Sequence, residues 1–147
     1  MAGVMGQQAH FITFATRDLD AARAFYIDGL GWHPLLDVPD EIVFFQIAPG
    51  LVLGLFESAK FASDLGIPVD ETNVSGSTIA HNVGSPDEVR LITEAMAGAG
   101  GTTLVAPSPG AFGGIFHAIV RDPNGIVWEI AHNPGWSIAA DGSVTFG

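Results

Sequence analysis

The chain has no cysteine among its 147 residues, which excludes disulfides and thiolate metal ligands. Cations are scarce: 5 Lys and Arg stand against 16 Asp and Glu, a formal net charge of −11. That balance disfavours nucleic acid and anionic membrane as partners, since both need a basic surface, and it favours a cationic ligand through long-range attraction. No apolar run approaches the roughly 20 residues of a membrane-spanning helix. The first residues, Met-Ala-Gly-Val-Met-Gly-Gln-Gln, lack the basic and apolar regions of a secretory signal, so a cytoplasmic location is expected. What the chain has in quantity is apolar side chain. A hydrophobic fraction of 48% with 14% charged residues suffices for a sizeable core in one structural domain.

Taken in order, residues 10–16 (HFITFAT) read as a strand leading into a helix over 18–28, with Thr16 or Asp18 as N-cap. Leu19, Ala22, Phe25 and Tyr26 give that helix an apolar face, and Gly29 and Gly31 end it. Strands are predicted at 32–38, 42–48 and 51–56, the last two joined through Ala48-Pro49-Gly50, and a short helix at 57–65. Residues 66–76, with Pro68, Asn73 and Gly76, read as a linker. The pattern then restarts. A strand at 77–83 is followed by Ser85-Pro86-Asp87-Glu88, a strong helix start, and by glycines 98, 100 and 101 that stop the helix. Strands follow at 102–106, 115–120 and 126–131, with a loop at 107–114 and a short strand at 143–146.

Each half therefore runs strand, helix, strand, strand, strand. Asp20 and Asp87, like Arg23 and Arg90, fall at equal places about 67 residues apart. The expected fold is α+β: two βαβββ modules whose curved mixed sheets enclose a shared cleft. The first module covers residues 1–65, the linker 66–76, the second module 77–134 and a C-terminal tail 135–147.

The stretch with the most chemistry is Asp122-Pro123-Asn124-Gly125 followed by Ile-Val-Trp-Glu-Ile-Ala. Asp-Pro-Asn-Gly makes a tight turn, with φ fixed at the proline and left-handed geometry accessible to Asn and Gly. Within the apolar strand behind it, Glu129 carries a charge whose burial costs free energy unless something compensates it. Either a neighbouring hydroxyl or amide satisfies it, or it orients a ligand or acts as a general base.

These segments resemble the vicinal oxygen chelate superfamily, which includes glyoxalase I, bleomycin-resistance proteins, fosfomycin-resistance enzymes and extradiol dioxygenases. The resemblance rests on Thr16-Arg17-Asp18-Leu19, Ala24-Phe25-Tyr26 and Leu30-Gly31-Trp32 in the first half. In the second half it rests on Asp122-Pro123-Asn124-Gly125 leading into Trp128-Glu129. It implies a metal-ligand quartet on the first and last strand of each half. Carried over position by position, the quartet here is Phe11, Gly54, Thr78 and Glu129, of which only Glu129 has a ligating side chain. A catalytic divalent ion needs about three protein ligands, so no cofactor and no metal residues are expected. A divalent ion on a non-standard ligand set is left open. His10, His81 and His132 lie at odd offsets from the quartet, so strand alternation turns them to the opposite face. Register does not place His117.

The implied cleft comprises Phe11, Thr13, Gly54, Phe56, Thr78, Phe112, His117 and Glu129, with the glycine-bearing loop 108–114 as a candidate flap. The expected function is binding of a small organic molecule, cationic or aromatic, in a metal-free cleft marked by Glu129. The alternative is an enzyme of the same superfamily, a lactoylglutathione-lyase-like isomerase or lyase or a dioxygenase. It would use a non-standard metal site, or Glu129 as the catalytic acid or base. The resemblance also implies a homodimer, with the cleft completed within one chain or across two.

Overall fold

The structure, a computed structural model, describes residues 3–111 and 114–146. In the first module, strand β1 (Phe11–Thr16) runs to Asp18, whose side chain accepts a hydrogen bond from Ala21 N and caps helix α1 (Leu19–Arg23). The helix does not keep its period. It widens into a π-helical turn (Ala24–Gly29), closed by a bond from Leu30 N to Phe25 O at 3.0 Å. The wider turn brings Phe25 and Tyr26, consecutive in sequence, into the core together, both fully buried.

Strands β2 (Leu36–Val38), β3 (Ile42–Ala48) and β4 (Leu51–Glu57) follow, then helix α2 (Ser58–Leu65). Strand β2 is shorter than the expected 32–38 for two reasons. Trp32 N donates to Tyr26 O and so belongs to the end of the helix, and Pro34 has no N–H for a ladder. The segment 66–76 contains a 3-10 turn (Val69–Glu71) and leads to β5 (Ile79–Asn82), α3 (Pro86–Gly98), β6 (Thr102–Pro109), β7 (Phe116–Arg121) and β8 (Val127–His132). A small hairpin, β9 (Ser137–Ile138) with β10 (Val144–Thr145), forms the tail. Strand β6 extends through part of the expected loop at 107–114. It lies at the sheet edge and has two register shifts against β7, a position where Pro107 and Pro109 interrupt no second ladder.

The two modules have the same topology. Their sheets are ordered β1-β4-β3-β2 and β5-β8-β7-β6, each with one parallel pair, β1 with β4 and β5 with β8. The internal repeat extends to side chains. Asp18 and Ser85, 67 residues apart, cap α1 and α3, and Arg23 and Arg90 each bond an aspartate three residues earlier at 3.1 Å. The outer partners differ: Arg23 also forks onto Asp37, and Arg90 stacks 4.7 Å from the Phe116 ring.

A single core joins the modules. Leu19, Phe25, Tyr26, Phe45, Leu53 and Leu55 of the first pack in one cluster with Val89, Met96, Val120, Trp128 and Ile130 of the second. The contact is close at the helices: a Cβ on Gly29 would lie 2.2 Å from Ala99 Cβ. Two polar links cross the same seam. Asp18 N and O both bond the Asn124 side-chain amide, at 2.8 and 2.9 Å, and Tyr26 reaches the turn before β8. Among the described residues no helix is long and apolar enough to cross a membrane.

Candidate functional site

Strand alternation assigns each sheet a core face and an outer face. In the first sheet, Leu53, Leu55, Val43 and Phe45 are buried on the core face. Registered partners share a face, so Thr13, Gly54 and Phe44 form one row across the outer face, with Phe11 and Phe56 on the same side. Phe11 and Phe44 meet edge to face at 5.4 Å, and Phe56 packs against Phe61 of α2 at 6.3 Å. The space at Gly54 is tight: a Cβ there would come within 3.0 Å of Thr13 Oγ1 and 3.3 Å of Phe44 Cε1, so those side chains would have to give by a few tenths of an ångström.

In the second sheet, Trp128, Ile130, Ala118 and Val120 face the core, and Glu129 faces out beside its registered partners Ala80 and Ile119. Thr78 lies just before β5 and is exposed. Register also places His117, which the sequence left open. It pairs with Ala131, shares the Glu129 face, and its Nδ1 lies 2.8 Å from Glu129 Oε2. An ionised carboxylate only accepts, so a hydrogen bond to it is donated by Nδ1–H. Both side chains are partly exposed, 22% for His117 and 33% for Glu129. His81 pairs with Ile130 and His132 with Phe116, so both lie on the other face of this sheet, and His132 Nδ1 is 3.1 Å from Val83 O. His10 precedes β1 and is exposed. Phe112, and with it part of the loop 108–114, lies outside the described residues.

The divalent ion that the resemblance associates with this fold does not fit these side chains. Phe11 and Thr78 carry no carboxylate or imidazole for it, Gly54 has no side chain, and Glu129 has one histidine as its neighbour. Among the described residues no group of three or more His, Cys, Asp or Glu is placed to hold a metal.

The turn Asp122-Pro123-Asn124-Gly125 does more than reverse the chain. Asp122 is 3% exposed, and its Oδ1 accepts from Asn124 N and Ile126 N at 2.8 and 2.9 Å. Its Oδ2 accepts from Tyr26 Oη at 2.6 Å, and Tyr26 Oη in turn accepts from Trp128 Nε1 at 2.9 Å. Desolvation raises the Asp122 pKa against the pull of these bonds, and desolvation with the adjacent carboxylate raises Tyr26 well above its ordinary value. The network locks β8, and so Glu129, against the first module. Sequence reasoning identified the turn but not this role; the signal was a lone Tyr and a Trp beside an Asp, all in apolar surroundings.

Three cavities adjoin these elements. One, of about 520 Å3, lies at the module seam and is lined by Trp32, His33, Gln46, His81 and Trp128 among others. A smaller one of about 260 Å3 shares Trp32, His81 and Trp128 and continues among Ile92, Met96 and Ile130. The third, of about 400 Å3, lies where the ends of β1 and β7 meet the linker. Sequence reasoning named none of them, because each is formed by residues of both modules.

Comparison with known proteins agrees with this architecture. The description "Glyoxalase/Bleomycin resistance protein/Dioxygenase superfamily" matches residues 8–130. No curated protein matches. Among solved structures, a glyoxalase-related enzyme from Fulvimarina pelagi is 38% identical, with 96% of this chain and 99% of that one covered and a TM-score of 0.84. A glyoxalase/bleomycin resistance protein/dioxygenase from Nocardioides is similar in fold at 23% identity, covering 88% and 85% of the two chains with a TM-score of 0.70. So is a lactoylglutathione lyase from Agrobacterium tumefaciens, at 22% identity, 86% and 94% coverage and a TM-score of 0.64. The chain belongs to the glyoxalase/bleomycin resistance protein/dioxygenase superfamily.

Proposed function

We propose that this protein binds a small organic molecule, cationic or aromatic, against the outer sheet face marked by Glu129 and His117, without a metal. The observation that carries the reading is the His117–Glu129 pair. It is a hydrogen-bonded, partly exposed polar couple on a sheet face that the core does not use, at the one quartet position that keeps a carboxylate. The exposed Phe11 and the Phe44 ring beside it supply an apolar surface on the first sheet, and the net charge of −11 favours a cation over an anion on approach.

A second reading has a specific observation behind it: catalysis by an acid–base pair. Glu129 would hold the His117 ring by Nδ1 and leave Nε2 to move a proton, the arrangement of a base and its orienting carboxylate. Isothermal titration against small cationic and aromatic compounds tests both readings, with product analysis of any compound that binds. Glu129→Gln is expected to weaken binding of a cation at least about tenfold, as loss of a charged partner does. The acid–base reading predicts turnover that falls in His117→Phe as well. Binding that is indifferent to both substitutions would overturn the assignment of this face.

A further inference from the structure

The cavity of about 400 Å3 at the ends of β1 and β7 has a composition unlike the rest of the chain. Two of the five cations, Arg17 and Arg121, line it, and none of the sixteen acidic residues does. The other cations are engaged: Arg23 with Asp20 and Asp37, Lys60 with Glu41, Arg90 with Asp87. Among the described residues Arg17 and Arg121 have no ion-pair partner. A second, independent feature lies in the same wall. Ser58 is 6% exposed, and its Oγ is the one buried side-chain polar atom among the described residues that has no hydrogen-bond partner. Buried hydroxyls are ordinarily bonded, so an unpartnered one on a residue that lines a cavity points to a missing partner.

The helix that begins at Ser58 is not the source of this need. Glu57 already accepts from Ala59 N and Lys60 N, which satisfies the first free amides. Nor do the other polar groups of the wall supply an acceptor to Ser58. The Asn124 amide is committed to Asp18, Asn73 Oδ1 accepts from Ser75, and Thr72 Oγ1 donates to Val69 O. The lining thus includes two guanidiniums without ion-pair partners and a hydroxyl without a hydrogen-bond partner, with no carboxylate among its residues.

We infer that this cavity is a binding site for the phosphate-ester group of a small metabolite. A phosphate monoester carries about −1.5 to −2 charge near neutrality, which two guanidiniums match where a single carboxylate would leave one unpaired. The volume exceeds that of the anion alone and leaves room for an organic portion beside Ala15, Val74 and Val127. Because Arg17 and Ser58 belong to the first module and Arg121 to the second, the bound group ties the modules together. It therefore stabilises the folded chain by mass action. Neither Glu129 nor His117 lines this cavity, and the inference does not depend on the function proposed for them.

Thermal unfolding and titration calorimetry with inorganic phosphate, glycerol phosphate and acetate, at ionic strength held constant with sodium chloride, test the inference. Both phosphates are expected to raise the melting temperature with saturable binding, and acetate to do neither. Arg17→Gln and Arg121→Gln should each weaken phosphate at least about tenfold. Ser58→Ala should weaken it a few-fold, while Arg90→Gln leaves it unchanged. A phosphate effect no greater than that of matched chloride would overturn the inference. So would one that survives in the doubly substituted Arg17→Gln, Arg121→Gln chain, or acetate binding as tightly as phosphate.

Discussion

At the residue scale the tightest feature is the chain of bonds from Trp128 Nε1 to Tyr26 Oη to Asp122 Oδ2, all buried. Replacing Tyr26 by Phe leaves the indole N–H and one carboxylate oxygen without partners inside the core. The expected loss is about 1–3 kcal/mol, read from chemical denaturation. Because the chain has a single tyrosine, the same group can be followed directly. A free phenol ionises near about 10, and tyrosinate absorbance then appears. Here the folded-state value is raised by desolvation first and by Asp122 second, so folding favours the neutral phenol. That contribution is present in full below the unfolded value and is lost as pH rises through the folded one, so stability falls above about pH 10. Tyrosinate absorbance should emerge only together with loss of the circular dichroism signal, and the alkaline fall in stability should be shallower in Tyr26→Phe. Absorbance that rises near the ordinary value in a still-folded chain would show that the network does not form. Asp122 is raised by desolvation in the same sense: its neutral form is favoured by folding, and its contribution fades as pH climbs through its folded value.

At the element scale, the order of strands and helices, the repeat and the turn before β8 were legible because they rest on local signals. These are N-caps 67 residues apart, glycine stops and alternating apolar runs. The places where the chain departs from those signals have long-range causes. The π-helical turn at Ala24–Gly29 follows from packing Phe25 and Tyr26 against the second module, and β6 continues past residue 106 because β7 offers a partner. The candidate site shows the same division. Glu129 and the emptied quartet positions could be read from the sequence. The His117 contact could not, because it depends on the register of β7 against β8. Register likewise explains the filled space at Gly54, which needs β1, β3 and β4 together. Gly29 gives an element-scale prediction. A Cβ there meets Ala99 at 2.2 Å, so Gly29→Ala must push the π-helical turn away from α3 despite alanine's better helix propensity. The expected cost is about 1–3 kcal/mol, as for overpacking in a close-fitted core. Gly98, which meets nothing within 4 Å, is the control: Gly98→Ala should be neutral or stabilising in the same thermal melt.

At the scale of the whole molecule the surface is too large for the mass. The chain exposes 8863 Å2, whereas a compact monomer of its 15.3 kDa exposes roughly 7,100 Å2. The N-terminal segment and the tail hairpin account for part of the excess. Another part is apolar and lies on the sheets: Phe11 is 56% exposed at the start of edge strand β1, Leu36 45% on β2, and Leu104 and Val105 about as open on edge strand β6. Exposed edges of this kind pair unless covered or charged, and none of these four positions carries a charge. The excess is of the order of what one partner contributes to a stable dimer interface, which is about 800 Å2 or more. We therefore expect a homodimer in solution, with the outer face of the first sheet covered by a second copy. Light scattering should give twice the 15.3 kDa chain mass at micromolar concentration. Phe11→Asp should shift the species to the monomer, while Ile138→Asp, exposed on the tail hairpin, leaves it unchanged. The wild-type mass then decides where the cleft is completed. If the protein is monomeric at high concentration, any ligand of Glu129 is held by residues of one chain. If Phe11→Asp dissociates the dimer and lowers affinity at Glu129 together, the first-sheet aromatics and the His117–Glu129 pair act on one ligand across two chains.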